Sequence, residues 1–459
     1  MGCGTIASSP SGRGVPDAII IGQIAEKFTA GGRGGKGNDM ETPDRILRLR
    51  HRILDYDWGS PTAIADLLGI ANPDGKPMAE LWMGAHPKAP SAVETAAGWV
   101  GLDELTRRHP DLVLGPALRR RFGDAFPFLF KVIAAARPLS IQVHPDAAQA
   151  ARGFERENRA GLPLDSPRRN YRDPNPKPEL IYACGCFRLL CGLRDARKTA
   201  ELLGRLCPRG LRDEAAQLAA DPGREGLKRL VAGLLALSGD EGRERRRDLI
   251  AEALAQSPRL NEPGLDWIAH LARFFPEDIG VLAPAWMNPV ILEPGRALFL
   301  PPGTLHAYVD GLGIELMADS DNVIRGGLTP KHVDAAELLA TIDFAQGGVH
   351  EIAPEPAGAC ETRYVPPVGR FALSVIRTRP GASFRCESGE GVEILLCMEG
   401  EGVLEEAGAS PRRQPVTRGA SFLVPAAVSS YTLSGELLAF RAFVPQPVEV
   451  NRFSFPHAT

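Results

Sequence analysis

The sequence lacks the features of a membrane, nucleic-acid-binding or disulfide-stabilised protein. No apolar run reaches the ~18 residues that a membrane-spanning helix needs, since the longest candidates are residues 18–21 and 230–237. The net charge of -3 gives no overall field that would attract nucleic acid or an anionic membrane surface. The eight cysteines include no CxxC pair, and a chain of 459 residues needs no disulfide framework. We therefore expect a cytoplasmic globular protein with reduced thiols and with neither a nucleic-acid nor a membrane partner.

The segment 292–331 carries the strongest functional signal. It begins with an apolar strand, turns at residues 301–303 and places His306 immediately after the turn. The polar residues that follow lie in a segment too apolar to be an exposed loop; they are Glu315, Asp319, Asp321, Asn322, Arg325 and Lys331. Buried charges are costly unless they pair, bind a metal or bind a substrate. We interpret this segment as half of a metal-centred active site.

A polar strand face is predicted within residues 127–146. Two apolar strands flank a turn at Arg137 and Pro138. Because side chains alternate along a strand, Ser140, Gln142 and His144 point to the same side. This face is either a solvent-exposed sheet surface or the source of two metal ligands, Gln142 and His144.

A proline-rich segment, residues 170–183, is the third candidate. Three prolines surround Lys177, and a strand begins at Glu179. Rigid loops of this kind often hold site residues in place. Taken alone the segment could be an exposed charged turn; beside the other two segments it supplies a carboxylate ligand and an ammonium group.

Residues 194–284 change to a helical periodicity. The apolar positions recur as in an amphipathic helix; they are Leu227, Leu230, Val231, Leu234 and Leu235. This pattern predicts an all-α insertion in a mainly β protein, and we assign no catalytic residue to it.

The C-terminal third returns to a strand pattern, with strands predicted at 371–376, 392–398, 422–424 and 437–443. A short repeat links it to the first functional segment, because residues 295–301 and 419–425 share a glycine, an apolar strand and a proline at equal spacing. His306 follows the first proline by five residues, whereas Ser430 follows the second. Either the repeat is fortuitous or the chain contains two related antiparallel barrels, the second without the metal ligand.

The candidate ligands form a set with two nitrogens and two oxygens, namely Gln142, His144, Glu179 and His306. This set suits one Zn²⁺ ion per chain with room for water or substrate, while Fe²⁺, Co²⁺ and Mn²⁺ remain possible. The nearby cations Lys177, Arg325 and Lys331 suit a phosphate or a developing oxyanion.

Residues 42–459 resemble the type I mannose-6-phosphate isomerases (phosphomannose isomerases). The motifs that carry the resemblance are PLSIQVHPD, YRDPNPKPE and HAYVDGLGIELMADSDNVIRGGLTPK, supported by YDWGS and ELWMGAHPKAPS. The resemblance implies zinc ligands at Gln142, His144, Glu179 and His306. It also implies a catalytic arginine at Arg325 and substrate or phosphate contacts at Ser140, Lys331, Lys131 and Trp58.

The resemblance also implies a fold. We expect a mainly β protein with an α insert, built from two cupin-type jelly-roll β-barrels and an inserted all-α helical domain. The expected organisation is a disordered extension at 1–41, a catalytic cupin domain formed by 42–193 and 285–350, the helical insertion at 194–284, and a metal-free cupin domain at 351–459. We further expect a monomer.

The implied reaction is the interconversion of mannose 6-phosphate and fructose 6-phosphate, which feeds GDP-mannose synthesis. A base must move a proton between C1 and C2 through an enediolate. Glu315 and Lys177 are the candidates, because burial disfavours the charged form of each. Arg325 is too basic for that role and would stabilise the enediolate. One position departs from the family, since Pro176 replaces a usual histidine before Lys177, and this predicts a changed rate or pH profile.

Two other functional classes remain open at the level of sequence. One is a different metal-dependent cupin enzyme, such as a sugar-phosphate isomerase or epimerase or a non-haem iron oxygenase. An oxygenase offers two histidines and one carboxylate, so Gln142 and the surrounding cations argue against it. The other is a non-catalytic sugar-binding cupin, which would not explain a metal-ligand set beside Arg325 and Lys331.

Overall fold

The computed structural model describes residues 43–96, 98–344, 348–387, 391–408 and 411–446 of the chain. The extension expected at 1–41 lies outside these residues. The described part is mainly β, as predicted, and forms two antiparallel sheets of eleven strands each. Within it, no helix combines the length and apolar composition that crossing a bilayer requires. Its cysteines are all free thiols.

The strands and helices are numbered in chain order. The strands are β1 (Leu47–Arg50), β2 (Arg52–Leu54), β3 (Glu80–Met83), β4 (Ala92–Thr95), β5 (Gly98–Gly101), β6 (Leu129–Ala135), β7 (Ile141–Val143), β8 (Glu179–Ala183), β9 (Phe187–Leu193), β10 (Met287–Leu292), β11 (Ala297–Leu300), β12 (His306–Met317), β13 (Ile324–Gly327), β14 (His350–Ile352), β15 (Glu355–Pro356), β16 (Glu361–Tyr364), β17 (Ala372–Thr378), β18 (Phe384–Cys386), β19 (Glu393–Glu406), β20 (Arg413–Thr417), β21 (Ser421–Val424) and β22 (Tyr431–Phe443). The α-helices are α1 (Ala63–Leu68), α2 (Leu102–Arg108), α3 (Pro110–Val113), α4 (Pro116–Phe122), α5 (Ala147–Arg159), α6 (Ala196–Leu206), α7 (Arg212–Ala220), α8 (Arg224–Ala236), α9 (Arg243–Gln256), α10 (Trp267–Ala272) and α11 (Ala335–Thr341), with 3₁₀ turns at Ser257–Arg259 and Ile279–Ala285.

Sheet I, formed by β2, β3 and β6–β14, is organised around the long strand β12. The second half of β12 pairs with β6 and β8, whereas its first half pairs with β7 and β9. The register sets His306 opposite Gln142 and sets Glu315 opposite Lys131. The polar residues predicted for an active site therefore gather along this one strand and its neighbours.

Helices α6–α10 support one side of sheet I. The predicted apolar stripe of α8 is buried in the same apolar cluster as Ile141 and Val143 of β7. Burying a leucine or valine contributes roughly 1.5–3 kcal/mol, so this packing holds β7, and with it Gln142, firmly against the core. The capping box at Asp146, which starts α5, fixes the chain just after His144.

Sheet II, formed by β1, β4, β5 and β15–β22, combines both ends of the described chain. Strand β1 pairs with β21 through Leu47 opposite Leu423. Part of the segment 42–193 thus lies in the sheet of the C-terminal segment, and the predicted domain boundaries stay a prediction. Strands β19 and β22 are longer than the apolar runs that predicted them, because their cross-strand pairing continues through polar and glycine residues.

The short sequence repeat marks equivalent strands in the two sheets. Strand β11 begins two residues after Gly295, and β21 begins two residues after Gly419. Both glycines have a positive φ, 87° and 80° respectively, which residues with a Cβ rarely adopt. Each strand then lies between two antiparallel neighbours, β8 and β14 for β11, β19 and β1 for β21.

Candidate active site

Three buried side chains at strand ends form the centre of the site. His144 follows β7, Glu179 begins β8 and His306 begins β12. One ligand atom from each lies within 4.8 Å of the others. The Nε2 atoms of His144 and His306 are each 3.3 Å from an oxygen of Glu179. The spacing is that of donor atoms which one ion could bridge.

The hydrogen bonds of both histidines leave the inner nitrogen free for a metal. Nδ1 of His144 lies 2.7 Å from the carbonyl oxygen of Asn322, and Nδ1 of His306 lies 3.0 Å from that of Thr304. A carbonyl only accepts, so Nδ1 carries the proton and Nε2 presents a lone pair. The buried atoms His144 Nε2 and Glu179 Oε2 have no hydrogen-bond partner in the described structure. Buried atoms of this kind are normally satisfied, and a cation between them would satisfy both.

Gln142 reaches the same centre from β7. Its amide nitrogen is placed 3.3 Å from His306 Nε2. Because the two ends of a carboxamide are assigned rather than observed, a rotation of the amide would present its oxygen to the ion. The predicted fourth ligand therefore lies beside the other three.

Lys177 is buried against Glu179, with its Nζ 2.9 Å from Oε1. Burial alone would raise the pKa of Glu179, but Lys177 and the two histidines hold this pKa well below its usual range. Burial, reinforced by Lys177, lowers the pKa of His144 to about 4. At neutral pH the centre therefore offers an ionised carboxylate and a neutral imidazole, the states in which these groups bind metals.

A second buried network surrounds Glu315. Lys131 donates to its Oε2 at 2.8 Å, and the hydroxyl of Tyr308 donates to its Oε1 at 2.9 Å. Glu80 lies 3.5 Å from the same ammonium. Burial raises the pKa of Glu315 although Lys131 opposes this shift, and the two carboxylates overcome burial and raise the pKa of Lys131. Lys131 thus holds a buried carboxylate in place.

A third group consists of cations without acidic partners among the described residues. A cavity of about 400 Å³ is lined by Gln142 and Glu179 of the metal-ligand centre and also by Arg325, Lys331, Arg172 and Lys88. None of the four forms an ion pair with another described residue. Desolvation and then repulsion from the other cations lower the pKa values of Arg325 and Lys331. Cations without direct acidic partners in a concave site are the arrangement that binds an anion.

Ser140 and Trp58, predicted as substrate contacts, also line this cavity. Trp58 stacks on Tyr56 with ring centroids 5.7 Å apart. The Tyr56 hydroxyl accepts a hydrogen bond of 2.6 Å from Lys88. An apolar wall thus adjoins the cationic end, as expected for a sugar site.

Asp319, Asp321 and Asn322, the remaining polar residues predicted for the segment 292–331, contact residues outside that segment. The Asn322 side chain accepts from the backbone amides of Arg172 and Asp173, so it fixes the segment that carries Arg172. The two aspartates lie 3.5–3.6 Å from the ring nitrogen of His86. Sequence spacing alone does not show which neighbouring segment a loop contacts.

Arg172 and Lys88 are among the cavity cations that sequence reasoning missed. Arg172 lies within the motif YRDPNPKPE and Lys88 within ELWMGAHPKAPS, so their signal was available as charged residues in conspicuous motifs. His86, of the same motif as Lys88, is buried and accepts a hydrogen bond from the amide of Lys88. His86 thus fixes the backbone beside one cation of the cavity.

Comparison with known proteins places these features in context. A sequence model of the type I phosphomannose isomerase catalytic domain matches residues 46–196. The chain is 40% identical over 396 residues to mannose-6-phosphate isomerase of Salmonella typhimurium and 38% identical over 394 residues to that of Escherichia coli; each alignment covers 85% of this chain and 97% of the relative. A zinc-bound crystal structure of mannose 6-phosphate isomerase aligns with a TM-score of 0.80 and 36% identity, covering 87% of this chain and 100% of that chain.

Proposed function

Because the chain belongs to the type I phosphomannose isomerase family, we propose that it interconverts D-mannose 6-phosphate and D-fructose 6-phosphate. The observation that carries this proposal is one cavity lined both by Gln142 and Glu179, which adjoin the buried His–Glu–His group, and by four cations that have no acidic partner among the described residues. The carbonyl and hydroxyl groups of a sugar phosphate can bind at the metal-ligand end of this cavity, and its phosphate dianion can bind to the cations.

The ligand group fits a resident Zn²⁺ ion. Gln142, His144, Glu179 and His306 would hold it, with two nitrogens and two oxygens of the kind that zinc prefers. The unpartnered atoms His144 Nε2 and Glu179 Oε2 support this assignment. When bound, the ion supplies Lewis-acid polarisation of the C1 and C2 oxygens.

The phosphate would lie at the cationic end of the cavity. Arg172 can donate two hydrogen bonds to it, whereas Lys331 and Lys88 contribute point charges. The predicted phosphate contact of Ser140 requires the anion to extend toward β7, and that of Lys131 is less favoured, because its ammonium is already held by Glu315 and Glu80.

The proton transfer requires no net gain or loss of atoms. A base removes the proton from C2 of mannose 6-phosphate, the enediolate forms, the same proton or one from solvent is delivered to C1, and the hydroxyl proton passes from O2 to O1. Glu315 and Lys177 remain the candidates for this base. Arg325, which has no carboxylate to neutralise it among the described residues, would stabilise the negative charge of the enediolate.

The finer structural expectations belong to this proposal. We infer cupin-type jelly-roll barrels for the two sheets and a helical domain for α6–α10, a monomeric state and a cytoplasmic location. These inferences agree with the family but carry no part of the catalytic argument.

The test is a coupled assay for fructose 6-phosphate formed from mannose 6-phosphate. Activity should disappear after treatment with a chelator and return on addition of Zn²⁺. Glu315→Gln and Lys177→Met, assayed with zinc bound, then identify the base. A purified protein that forms no chelator-sensitive fructose 6-phosphate would contradict the proposed function, and near-normal turnover in both variants would exclude both candidate bases.

A further inference from the structure

Sheet II contains a buried charged cluster that the proposed reaction does not use. Arg441 is 3% exposed, and its guanidinium lies 3.0 Å from Glu361 Oε1 and 3.4 Å from Glu393 Oε1. Its Nη1 is also 2.8 Å from the sulfur of Cys386. Tyr431, fully buried, donates to Glu393 Oε2 at 2.7 Å. Two carboxylates are therefore held around one internal cation.

The sheet register relates this cluster to the candidate metal centre. The repeated glycines Gly295 and Gly419 provide the starting point. Five residues after Gly295, Leu300 pairs with Glu179; five residues after Gly419, Val424 pairs with Glu393. Glu393 thus occupies in sheet II the position that Glu179 occupies in sheet I.

The correspondence continues across three further strand pairs. In each sheet we start at the glutamate and go to the residue paired with it on the long strand. Two residues earlier on that strand, we go to the paired residue on the next strand. Two residues later on this strand, we go to the paired residue on the last strand. The residues met are Glu179, Met317, Glu315, Lys131, Ile133 and Glu80 in sheet I, and Glu393, Phe443, Arg441, Ser374, Ile376 and Glu361 in sheet II. Arg441 therefore stands in the position of Glu315, and Glu361 in that of Glu80.

The first residues of the two long strands also correspond. His306 begins β12 and pairs with Gln142 on β7, while Tyr431 begins β22 and pairs with Cys386 on β18. Both side chains point to the equivalent glutamate, because His306 lies 3.3 Å from Glu179 and the Tyr431 hydroxyl bonds to Glu393. The steps that lead from the glutamates to Glu80 and Glu361 come from strand pairing, the starting glycines come from the sequence repeat, and His306 and Tyr431 are matched by their place at the start of each long strand.

We propose that sheet II holds a second copy of the metal-site framework, in which the guanidinium of Arg441 replaces the divalent ion. Removal of this guanidinium opens a site for a second divalent transition-metal ion such as Zn²⁺. The inference uses the metal site of the proposed function as its template, but its measurement concerns sheet II alone.

The charges of the two copies support this exchange. Among the described residues of sheet I, the buried carboxylates of Glu80, Glu179 and Glu315 face only two buried ammonium groups, Lys131 and Lys177. The cluster is therefore short of positive charge until a cation binds. A buried charge without a partner is strongly unfavourable.

Sheet II reaches balance with the protein's own groups. Glu361 and Glu393 face Arg441 in the interior and Arg363 at the rim, whose side chain is 41% exposed. Arg363 and Arg441 together hold the pKa of Glu361 below its usual value against the opposing effect of burial. Arg441 stands where sheet I has the carboxylate of Glu315. This difference removes one negative charge and adds one positive charge, so sheet II needs no bound metal to balance its carboxylates.

The donor atoms around Arg441 are suitable for a metal once the side chain is shortened. Its two terminal nitrogens stand next to one sulfur and two carboxylate oxygens, from Cys386, Glu393 and Glu361. Thiolate and carboxylate are zinc ligands, and the thiol loses its proton on binding. A histidine in place of Tyr431 would add the nitrogen that His306 provides in sheet I.

The experiment measures the metal content of the full-length chain by mass spectrometry after dialysis against limiting Zn²⁺. The double variant Tyr431→His, Arg441→Ala should bind one ion more than the unchanged protein. Adding Cys386→Ser and Glu393→Gln should abolish that additional ion. A folded double variant with unchanged metal content would overturn the proposal.

Stability provides a second readout in case the double variant folds poorly. In metal-free buffer Arg441→Ala should lower Tm by roughly 5 to 10 °C, the effect of leaving two buried carboxylates without a cation. Adding Glu361→Gln and Glu393→Gln should restore much of the loss, because no buried charge then remains. No restoration would overturn the counterion role of Arg441. If the unchanged protein binds no metal, the proposed function fails, whereas the additional ion in sheet II is still measurable.

Discussion

Sheets I and II place buried acids at equivalent positions but differ in the groups that neutralise them. In sheet I, His144 Nε2 and Glu179 Oε2 lack hydrogen-bond partners among the described residues, and Arg325, Lys331, Arg172 and Lys88 of the adjoining cavity lack acidic ones. In sheet II both central carboxylates are bonded to Arg441, and Arg441 Nε is the unsatisfied atom of that described cluster. Sheet I therefore presents donor atoms and cations that a ligand can bind, whereas in sheet II the protein's own arginine neutralises the carboxylates.

The comparison teaches how one framework serves catalysis in one sheet and stability in the other. Both clusters lie on long central strands of their sheets, β12 and β22, which pair with neighbours on both sides. Such strands hold side chains with little freedom, which suits a metal centre. The same rigidity makes a closed ion cluster tolerable, since its geometry can be kept favourable.

The largest expected difference concerns the equivalent glutamates. Glu179→Gln should lower kcat/KM by about 10³-fold or more, because it removes a metal ligand and leaves Lys177 without its partner. Glu393→Gln should leave kcat/KM unchanged within about twofold, although both variants lose stability. The coupled mannose 6-phosphate assay measures both. Similar losses of activity in the two variants would contradict the assignment of catalysis to sheet I.

Substitution of Arg325 should reduce activity but hardly change stability, whereas substitution of Arg441 should reduce stability but not activity. Arg325→Met should lower kcat/KM by about 10²- to 10³-fold, the usual effect of removing a group that stabilises a developing oxyanion, with little change in Tm. Arg441→Met should lower Tm and retain activity. Arg325→Lys serves as the matched control, because it keeps the charge but loses the paired hydrogen bonds. If Arg325→Met lost stability instead of activity, its role would be structural.

Metal removal should lower the local stability of sheet I and leave that of sheet II unchanged. After chelation, backbone amides of β7, β8 and β12 should exchange faster by about tenfold or more, since a bound ion stabilises the state that binds it. Those of β17, β19 and β22 should keep their rates, because Arg441 is covalently part of the chain. Hydrogen–deuterium exchange with mass spectrometry, repeated after Zn²⁺ is restored, measures both groups. Equal acceleration in both sheets would contradict the comparison.

The buried His144–Glu179–His306 group was predictable from local pattern. His306 follows a turn, and strand alternation places Gln142 and His144 on one face, so a period of two was sufficient to group them. Glu179 begins a strand after a rigid proline-rich segment. These signals depend only on near neighbours in the sequence, which is why they remain visible without a structure.

The cluster of sheet II was not predictable in this way. Arg441 is 80 residues from Glu361 and 48 from Glu393 along the chain, and an apolar strand with one arginine predicts a polar surface position. Its burial depends on the register of four strands, which no local pattern specifies. The pairing of β1 with β21 and the contacts of Asn322 were missed for the same reason.

The smallest expected effect is a pH-dependent gain in stability at Asp319, which follows β12. Burial, with Asp173 and Asp321 nearby, raises the pKa of Asp319 to about 7 from 3.8. The folded state therefore holds a proton that the unfolded state has lost between about pH 4 and pH 7, so stability falls as the pH rises through this window.

Asp319→Asn removes this cost and should raise the free energy of unfolding by about 1 to 2 kcal/mol at pH 8, a value reduced for the 23% exposure of the side chain. At pH 4 the gain should vanish, because the wild-type side chain is then protonated in the folded state. Urea denaturation at the two pH values measures the difference, with Asp74→Asn on the surface as control. An equal gain at both pH values would mean that the introduced carboxamide improves packing or hydrogen bonding rather than relieving a buried charge, and the end of β12 would then carry no uncompensated acid at Asp319.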